Sequence, residues 1–344
     1  MKMKWMICLL SLVTILAIAC SSDGESVSDS QNAATSIPAT AVPELTKVNF
    51  ALDWFPNSNH AGIYEAIERG FFIDEGLDVN VYVPADPSVV LSTIGAGQDD
   101  FGVSYQSVLL QARSEGVLVK SIVGIVQHPL NSVMALESSG IKRPGDLAGK
   151  KVGFPGFQTD EDLLAVMLAE DGLTIDDVEM VNVGWDLTTS LASGVVDAIV
   201  GAYWTHESIL LEQEGLPVTV LRMEEWGVPD FYELVIVASD DTVANRPEVV
   251  EAFVTAIQKG HEAAIADPQA SITNLIKHNP DSVIEDLERE GIEKVKAMWI
   301  EGDLAFGWQE ESRWVDFTNW LRDQGLVNAD LNGADAFTNE FVAN

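Results

Sequence analysis

From Lys47 onward apolar residues recur at two alternating spacings. VNFALDW (48–54) reads as a strand, AGIYEAIERGFF (61–72) carries its apolar groups at helical spacing, and LDVNVYV (77–83) alternates like a strand with one face buried. This order predicts a βαβ unit. The rhythm continues through SVVLSTIGAG (88–97, helix), DFGVS (100–104, strand), YQSVLLQARSEG (105–116, helix) and VKSIVGIV (119–126, strand).

A second series follows: KKVGFP (150–155), DEDLLAVMLAEDG (160–172), VEMVNV (178–183), LTTSLASG (187–194), VDAIVGA (196–202) and HESILLEQEG (206–215) alternate strand and helix, with Gly at helix ends. Beyond Val243 the spacing is helical, over 249–265, the acidic stretch 281–298 and 312–326. The pattern predicts an α/β chain of two lobes, residues 47–135 with 240–344 forming the first and 136–239 the second. The chain crosses outward near 127–145 and returns near 233–240, a double connection that permits hinge closure on a ligand. No repeat of solenoid period occurs.

The first 46 residues have a different texture. Lys2 and Lys4 precede an apolar run from Met6 to Ala19, which ends in Leu16-Ala17-Ile18-Ala19-Cys20. This is the layout of an export signal, 1–19, too short to span a bilayer comfortably. Small residues before Cys20 resemble a lipobox, in which Cys20 is lipidated and becomes the new N-terminus. Residues 20–46 then form a tether rich in Ser, Asp, Ala, Thr and Pro, a composition that buries too little surface to offset chain entropy. The expected location is the outer face of the cell membrane, held by lipid.

Composition narrows the chemistry. With 19 Lys and Arg against 54 Asp and Glu in 344 residues, the net charge of −35 repels nucleic acid. The charges are spread along the chain, which reads as solvation rather than a calcium site. Cys8 and Cys20 are the only cysteines, so a chain beginning at Cys20 contains neither an internal disulfide nor a thiolate metal cluster. The five histidines offer no pair at i,i+3 or i,i+4, and no metal or other cofactor is expected.

At ALDWFPNSNHAGIYEA (51–66) the sequence resembles the binding proteins for thiamine pyrimidine precursors and the related fungal pyrimidine synthases. Matches continue through RGFFIDEGLDV (69–79), DFGVSYQ (100–106), VQHP (126–129), DLAGKKVG (146–153), GAYWTHE (201–207) and AFTNEF (336–341), nearly all of 47–344. The resemblance implies a type II periplasmic binding protein fold and the extracytoplasmic binding component of an ABC importer. Its implied partners are a permease with its ATPase and a small aromatic heterocycle, formylaminopyrimidine or hydroxymethylpyrimidine; the chain itself is expected to be monomeric and not an enzyme. The chain departs from the formylaminopyrimidine binders at 154–159, where they carry a Trp-containing Gly loop, which leaves a flavin or a modified pyrimidine open.

Candidate ligand contacts follow strand ends, where open α/β sheets place their sites. Trp54, Asn59 and His60 follow the first strand. Trp54 offers a stacking face worth about 0.5–1.5 kcal/mol beyond its area, Asn59 both donates and accepts, and His60 either contacts ligand or caps a helix. Tyr105 and Gln106 follow DFGVS, and Gly156, Phe157 and Gln158 join a strand to a helix whose first N–H groups are free. Tyr203, Trp204 and Glu207 follow DAIVGA, with Glu207 either accepting from a ring amino group or favouring its helix start. Trp226, Phe231 and Tyr232 lie near the return crossing as secondary candidates for ring contacts. Riboflavin, and the sulfonates and nitrate bound by other members of the superfamily, are alternative ligands, though oxyanions usually recruit Arg. A pyrimidine-synthase-like enzyme is disfavoured by the export signal and by the absence of cysteine beyond Cys20.

Overall fold

A computed structural model describes residues 44–343. Among the described residues ten strands form two five-stranded sheets. In the first, β1 (Thr46–Ala51), β2 (Leu77–Tyr82), β3 (Phe101–Ser104) and β4 (Val119–Val126) are joined by β10 (Leu234–Ser239) in the order β2-β1-β3-β10-β4. In the second, β5 (Asn131–Leu136), β6 (Lys151–Phe154), β7 (Glu179–Asn182), β8 (Ala198–Tyr203) and β9 (Val218–Arg222) take the order β7-β6-β8-β5-β9.

The two sheets repeat one plan. β1 is parallel to β2 and β3, as β6 is to β7 and β8. The fourth strand in each runs antiparallel and arrives from the other lobe: β10 pairs with β3 and β4, and β5 pairs with β8 and β9. The lobe boundaries read from sequence, 135/136 and 239/240, put β5 with the first lobe and β10 with the second. The hydrogen-bonded registers place each in the opposite sheet, so the crossings are 127–130 and 223–233. Both strands are apolar runs that continue the texture of the lobe they leave, so periodicity does not reveal the exchange.

Local chemistry sets the elements that bear on the site. The helix expected over 61–72 stops at Glu68 because Gly70 turns left-handed (φ 75°), and a second short helix, Phe71–Asp74, leads into β2. Pro247 opens the long helix Pro247–Ala266, where its missing N–H costs nothing. That helix covers the first sheet through Phe253, whose ring stacks on Phe101 at 4.0 Å and meets Phe50 edge-on at 5.0 Å. His261 on the same helix is fully buried against Phe306 at 4.0 Å, and burial lowers its pKa to about 4, so it is a neutral core residue. The helix Glu311–Asp323 buries Trp314 and Phe317 in a cluster that also holds Leu109 and Val237 beside the first sheet and Leu163 and Met167 of the second lobe. The C-terminal helices therefore pack on both lobes, not on the first alone. Among the described residues no helix is long and apolar enough to cross a membrane.

Candidate functional site

The carboxyl ends of β1, β3, β6 and β8 converge on a cleft enclosing about 580 Å³ of atom-free space, part of it open to solvent. The first lobe contributes Asp53, Trp54 and Asn57 after β1 and Tyr105 after β3. The second contributes Asn131, Phe157, Asp160, Gly201, Tyr203 and Glu207, and the return crossing adds Phe231 and Glu233.

The segment after β1 is built for rigidity. The Asn57 side chain caps the turn Ser58–His60 by accepting from the Asn59 backbone at 2.9 Å. His60 accepts from the Asn57 N–H at Nδ1 (3.2 Å), which leaves Nε2 to donate to Asp53 Oδ1 at 2.8 Å. The Tyr105 hydroxyl donates to the other Asp53 oxygen at 3.0 Å. Asp53 is thus held by two donors from two loops of the same lobe. Burial, then the charge of Asp53, keeps the Tyr105 hydroxyl protonated well above its ordinary range.

Aromatic rings meet around the opening. Tyr105 of the first lobe packs edge-on against Phe157 of the second at 5.3 Å, and Trp54 lies 4.5 Å from Trp185, which also contacts Phe55 at 4.7 Å. The Trp185 indole donates back across the cleft to the Ala85 carbonyl at 3.4 Å. A further bridge joins His206 to Glu288, at 3.1 Å, on the helix Glu285–Val295. Burial alone would lower the His206 pKa, but Glu207 and Glu288 on either side raise it to about 10, so it is a cation at neutral pH.

Three further carboxyl groups line the cleft. Glu207 is committed to the protein: Oε2 accepts from the Tyr203 N–H at 2.8 Å and Oε1 meets His206 at 2.9 Å. Asp160 and Glu233 are organised by Asn131. Its side-chain amide donates to Asp160 Oδ1 (2.9 Å), its carbonyl accepts from the Gly201 N–H (3.0 Å), and its own N–H donates with that of Leu130 to Glu233 Oε2 (2.9 and 2.6 Å). Asp160 Oδ2 is buried with no protein partner, and the buried Tyr203 hydroxyl faces the Glu233 carboxyl. Gly201 keeps this space open, since at φ 91° a Cβ there would lie 2.8 Å from the Pro155 ring and 3.3 Å from Asp160 Oδ2.

Burial pushes Asp160 up to about 7, against the pull of the Asn131 amide and with a contribution from Glu161 and Asp162. Burial likewise pushes Glu233 up to about 7, against its two backbone donors and the Tyr203 hydroxyl. In an unfolded chain such groups titrate near 4. Between roughly pH 4 and 7 the folded state therefore holds more protons, and the stability these groups contribute falls as pH rises. Asp160→Asn should match the parent near pH 4 and become progressively more stable than it toward pH 7, read from urea melts at both ends. A constant difference would refute the assignment.

Of the residues singled out in the sequence, Trp54, Tyr105, Phe157, Tyr203 and Glu207 line the cleft. His60 stands behind Asp53 as its positioning donor. Asn59 is buried and donates to Asn57 Oδ1 at 2.9 Å, and Gln106 is buried with its carbonyl on the Tyr232 N–H at 2.7 Å. Gly156 is left-handed beside Asn182, and Gln158 points to Asp162 on the exposed face of its helix. Trp204 donates to the Pro129 carbonyl and lies under Arg222, Trp226 faces Arg143, and Tyr232 is a core residue stacked on Trp314. Phe231, read from the sequence as a secondary ring contact, lines the cleft, whereas the sequence patterns do not mark Asp53, Asn131, Asp160, His206 or Glu233 as ligand contacts. Glu233 did carry a signal, as the sole charge in the apolar run FYELVIVAS (231–239).

The family described as NMT1/THI5 like matches residues 57–271, which begin in the cleft loop after β1 and include Asn131, Asp160, Tyr203 and Glu233. The chain belongs to the NMT1/THI5-like family. The chain is similar to the formylaminopyrimidine-binding protein of Halalkalibacterium halodurans, 32% identical over 86% of this chain and 90% of that one. It is also similar to the 4-amino-5-hydroxymethyl-2-methylpyrimidine phosphate synthase of Aspergillus parasiticus, 28% identical over 86% and 87%. In three dimensions the alkanesulfonate-binding protein SsuA of Xanthomonas axonopodis pv. citri superposes with a TM-score of 0.68 at 15% identity, covering 86% of this chain and 99% of that one. The NMT1/THI5-like chain thus has the two-lobed periplasmic binding protein fold.

Proposed function

We propose that this protein is the substrate-binding lipoprotein of an ABC importer and that its cleft takes a thiamine pyrimidine precursor, formylaminopyrimidine or hydroxymethylpyrimidine. The observation that carries the reading is the cleft itself: Trp54, Tyr105, Phe157 and Tyr203 supply flat apolar walls around buried carboxyl groups, and no Lys or Arg is among the lining residues. A planar heterocycle with amino substituents matches both features, whereas a sulfonate or nitrate has no cation to meet except His206, already paired with Glu207 and Glu288. The relative that binds formylaminopyrimidine spans nearly the whole chain and supports the same ligand class.

A binding role is favoured over synthesis because no cysteine follows Cys20 and the His60–Asp53–Tyr105 set is closed on itself. The signal pattern at 1–19 and Cys20, which lies outside the described residues, supports anchoring at the outer face of the membrane. Two lobes joined by two crossings close on the ligand and present both faces to a permease. Thermal melting of the purified protein with formylaminopyrimidine, hydroxymethylpyrimidine, thiamine, riboflavin, taurine and nitrate tests the ligand class. A pyrimidine at 100 times its Kd should add about 2.7 kcal/mol. A shift with riboflavin alone would replace the ligand, and a shift with taurine or nitrate alone would overturn the heterocycle reading.

A further inference from the structure

The cleft floor contains a group that the binding fold does not need. Asp160 is 5% exposed and Glu233 2%, yet no Lys or Arg lines the cavity they face. Buried carboxyls of a purely structural kind are matched by cations or by a full set of donors. Here the donors are incomplete on one side only. Glu233 Oε2 and Asp160 Oδ1 are satisfied by Asn131 and Leu130, and the Tyr203 hydroxyl faces the Glu233 carboxyl, while Asp160 Oδ2 is buried at the cavity without a protein partner. Gly201 preserves the gap, because a Cβ there would press on Asp160 Oδ2.

We infer that Asp160 and Glu233, aligned by Asn131, form a subsite that selects ligands presenting an amidine-like edge, an amino group beside a basic ring nitrogen, and rejects anionic ones. This deepens the proposed function and rests on it for the identity of the ring. An amino N–H donates to Asp160 Oδ2 while the adjacent basic ring nitrogen shares a proton with the buried carboxyls, a pairing that an anionic edge cannot reproduce. Tyr203 supplies the remaining donor or acceptor and a ring face. Glu207, with both oxygens engaged by the protein, is not the reader of this edge.

The test uses the whole purified protein, its Asp160→Asn and Glu233→Gln variants, and calorimetric titration with three probes: hydroxymethylpyrimidine, benzamidine and benzoate. Both substitutions keep the oxygen that Asn131 binds, so the framework survives. The expected result is binding of the pyrimidine and of benzamidine but not of benzoate, with a loss of about 10- to 100-fold for both ligands in Asp160→Asn and in Glu233→Gln, the value of a charge-assisted hydrogen bond. Pyrimidine binding unchanged in both variants would overturn the subsite and leave the proposed function standing. Benzamidine binding that depends on Asp160, without any pyrimidine binding, would keep the subsite and overturn the pyrimidine reading. Benzoate binding as tightly as benzamidine, or no benzamidine binding together with no pyrimidine binding, would overturn the subsite.

Discussion

Replacing Glu288 by alanine is expected to lower the unfolding free energy by about 3 kcal/mol, the scale set by breaking a buried ion pair from one side. Glu288 is 2% exposed and serves two partners, accepting from the Ser58 N–H at 2.6 Å and meeting His206 at 3.1 Å. One turn along its helix, Gly291 lets the backbone close on the cleft loops, since a Cβ there would lie 2.8 Å from Ser58 Oγ and 3.1 Å from the Thr205 carbonyl. The loss therefore strands a buried N–H in the first lobe and half the counter-charge of a buried cation in the second. Glu288→Gln retains an acceptor for Ser58 and should cost roughly half as much. Chemical denaturation compares the two, and a loss below about 0.5 kcal/mol, the level of an ordinary surface substitution, would show that the bridge contributes no net stability.

Gly260→Ala should be at least as damaging, by about 3 kcal/mol, because it overpacks a contact that cannot yield. Its Cβ would stand 2.2 Å from the Gly62 carbonyl oxygen, 2.7 Å from Ala66 Cβ and 3.0 Å from the Ala66 nitrogen. These are mostly backbone atoms of the helix Ala61–Glu68, which begins directly behind the cleft turn. Gly62 returns the contact, with its own Cβ position filled by the His261 ring. The pair holds the helix that directly follows His60 against Pro247–Ala266, so the variant should also weaken ligand binding by loosening Asp53. Retention of the parent denaturation midpoint would mean that the helices separate at no cost.

Much of the fold is legible because buried strands and amphipathic helices carry distinct periods. Val119–Val126 is found at the bounds its apolar run suggests, and the alternation of Leu77–Tyr82 matches its half-buried position. Three strands are not legible for separate reasons. β5 and β10 exchange lobes through segments that read as crossings, and the short edge strand β9 is half-buried, so its pattern is weak. The helix Pro268–His278 was likewise submerged in a continuous helical texture.

At the site, position after a strand end is a sound guide to neighbourhood and a poor one to direction. Tyr203 lines the cleft and its neighbour Trp204 does not, since adjacent residues point to opposite sides. The same ambiguity placed Gln106 and Tyr232 among the candidates, although each binds the other's segment in the core. Asp160 escaped notice because an acidic residue in the first turn of a helix already has an electrostatic reason to be there.

Calorimetric titration of the purified protein with formylaminopyrimidine shows whether this cleft binds an amino-substituted pyrimidine: saturable one-to-one binding is expected, with the negative heat-capacity change that accompanies burial of a ring between Trp54, Tyr105, Phe157 and Tyr203. Saturation by an alkanesulfonate, with no heat from formylaminopyrimidine or hydroxymethylpyrimidine, would contradict it.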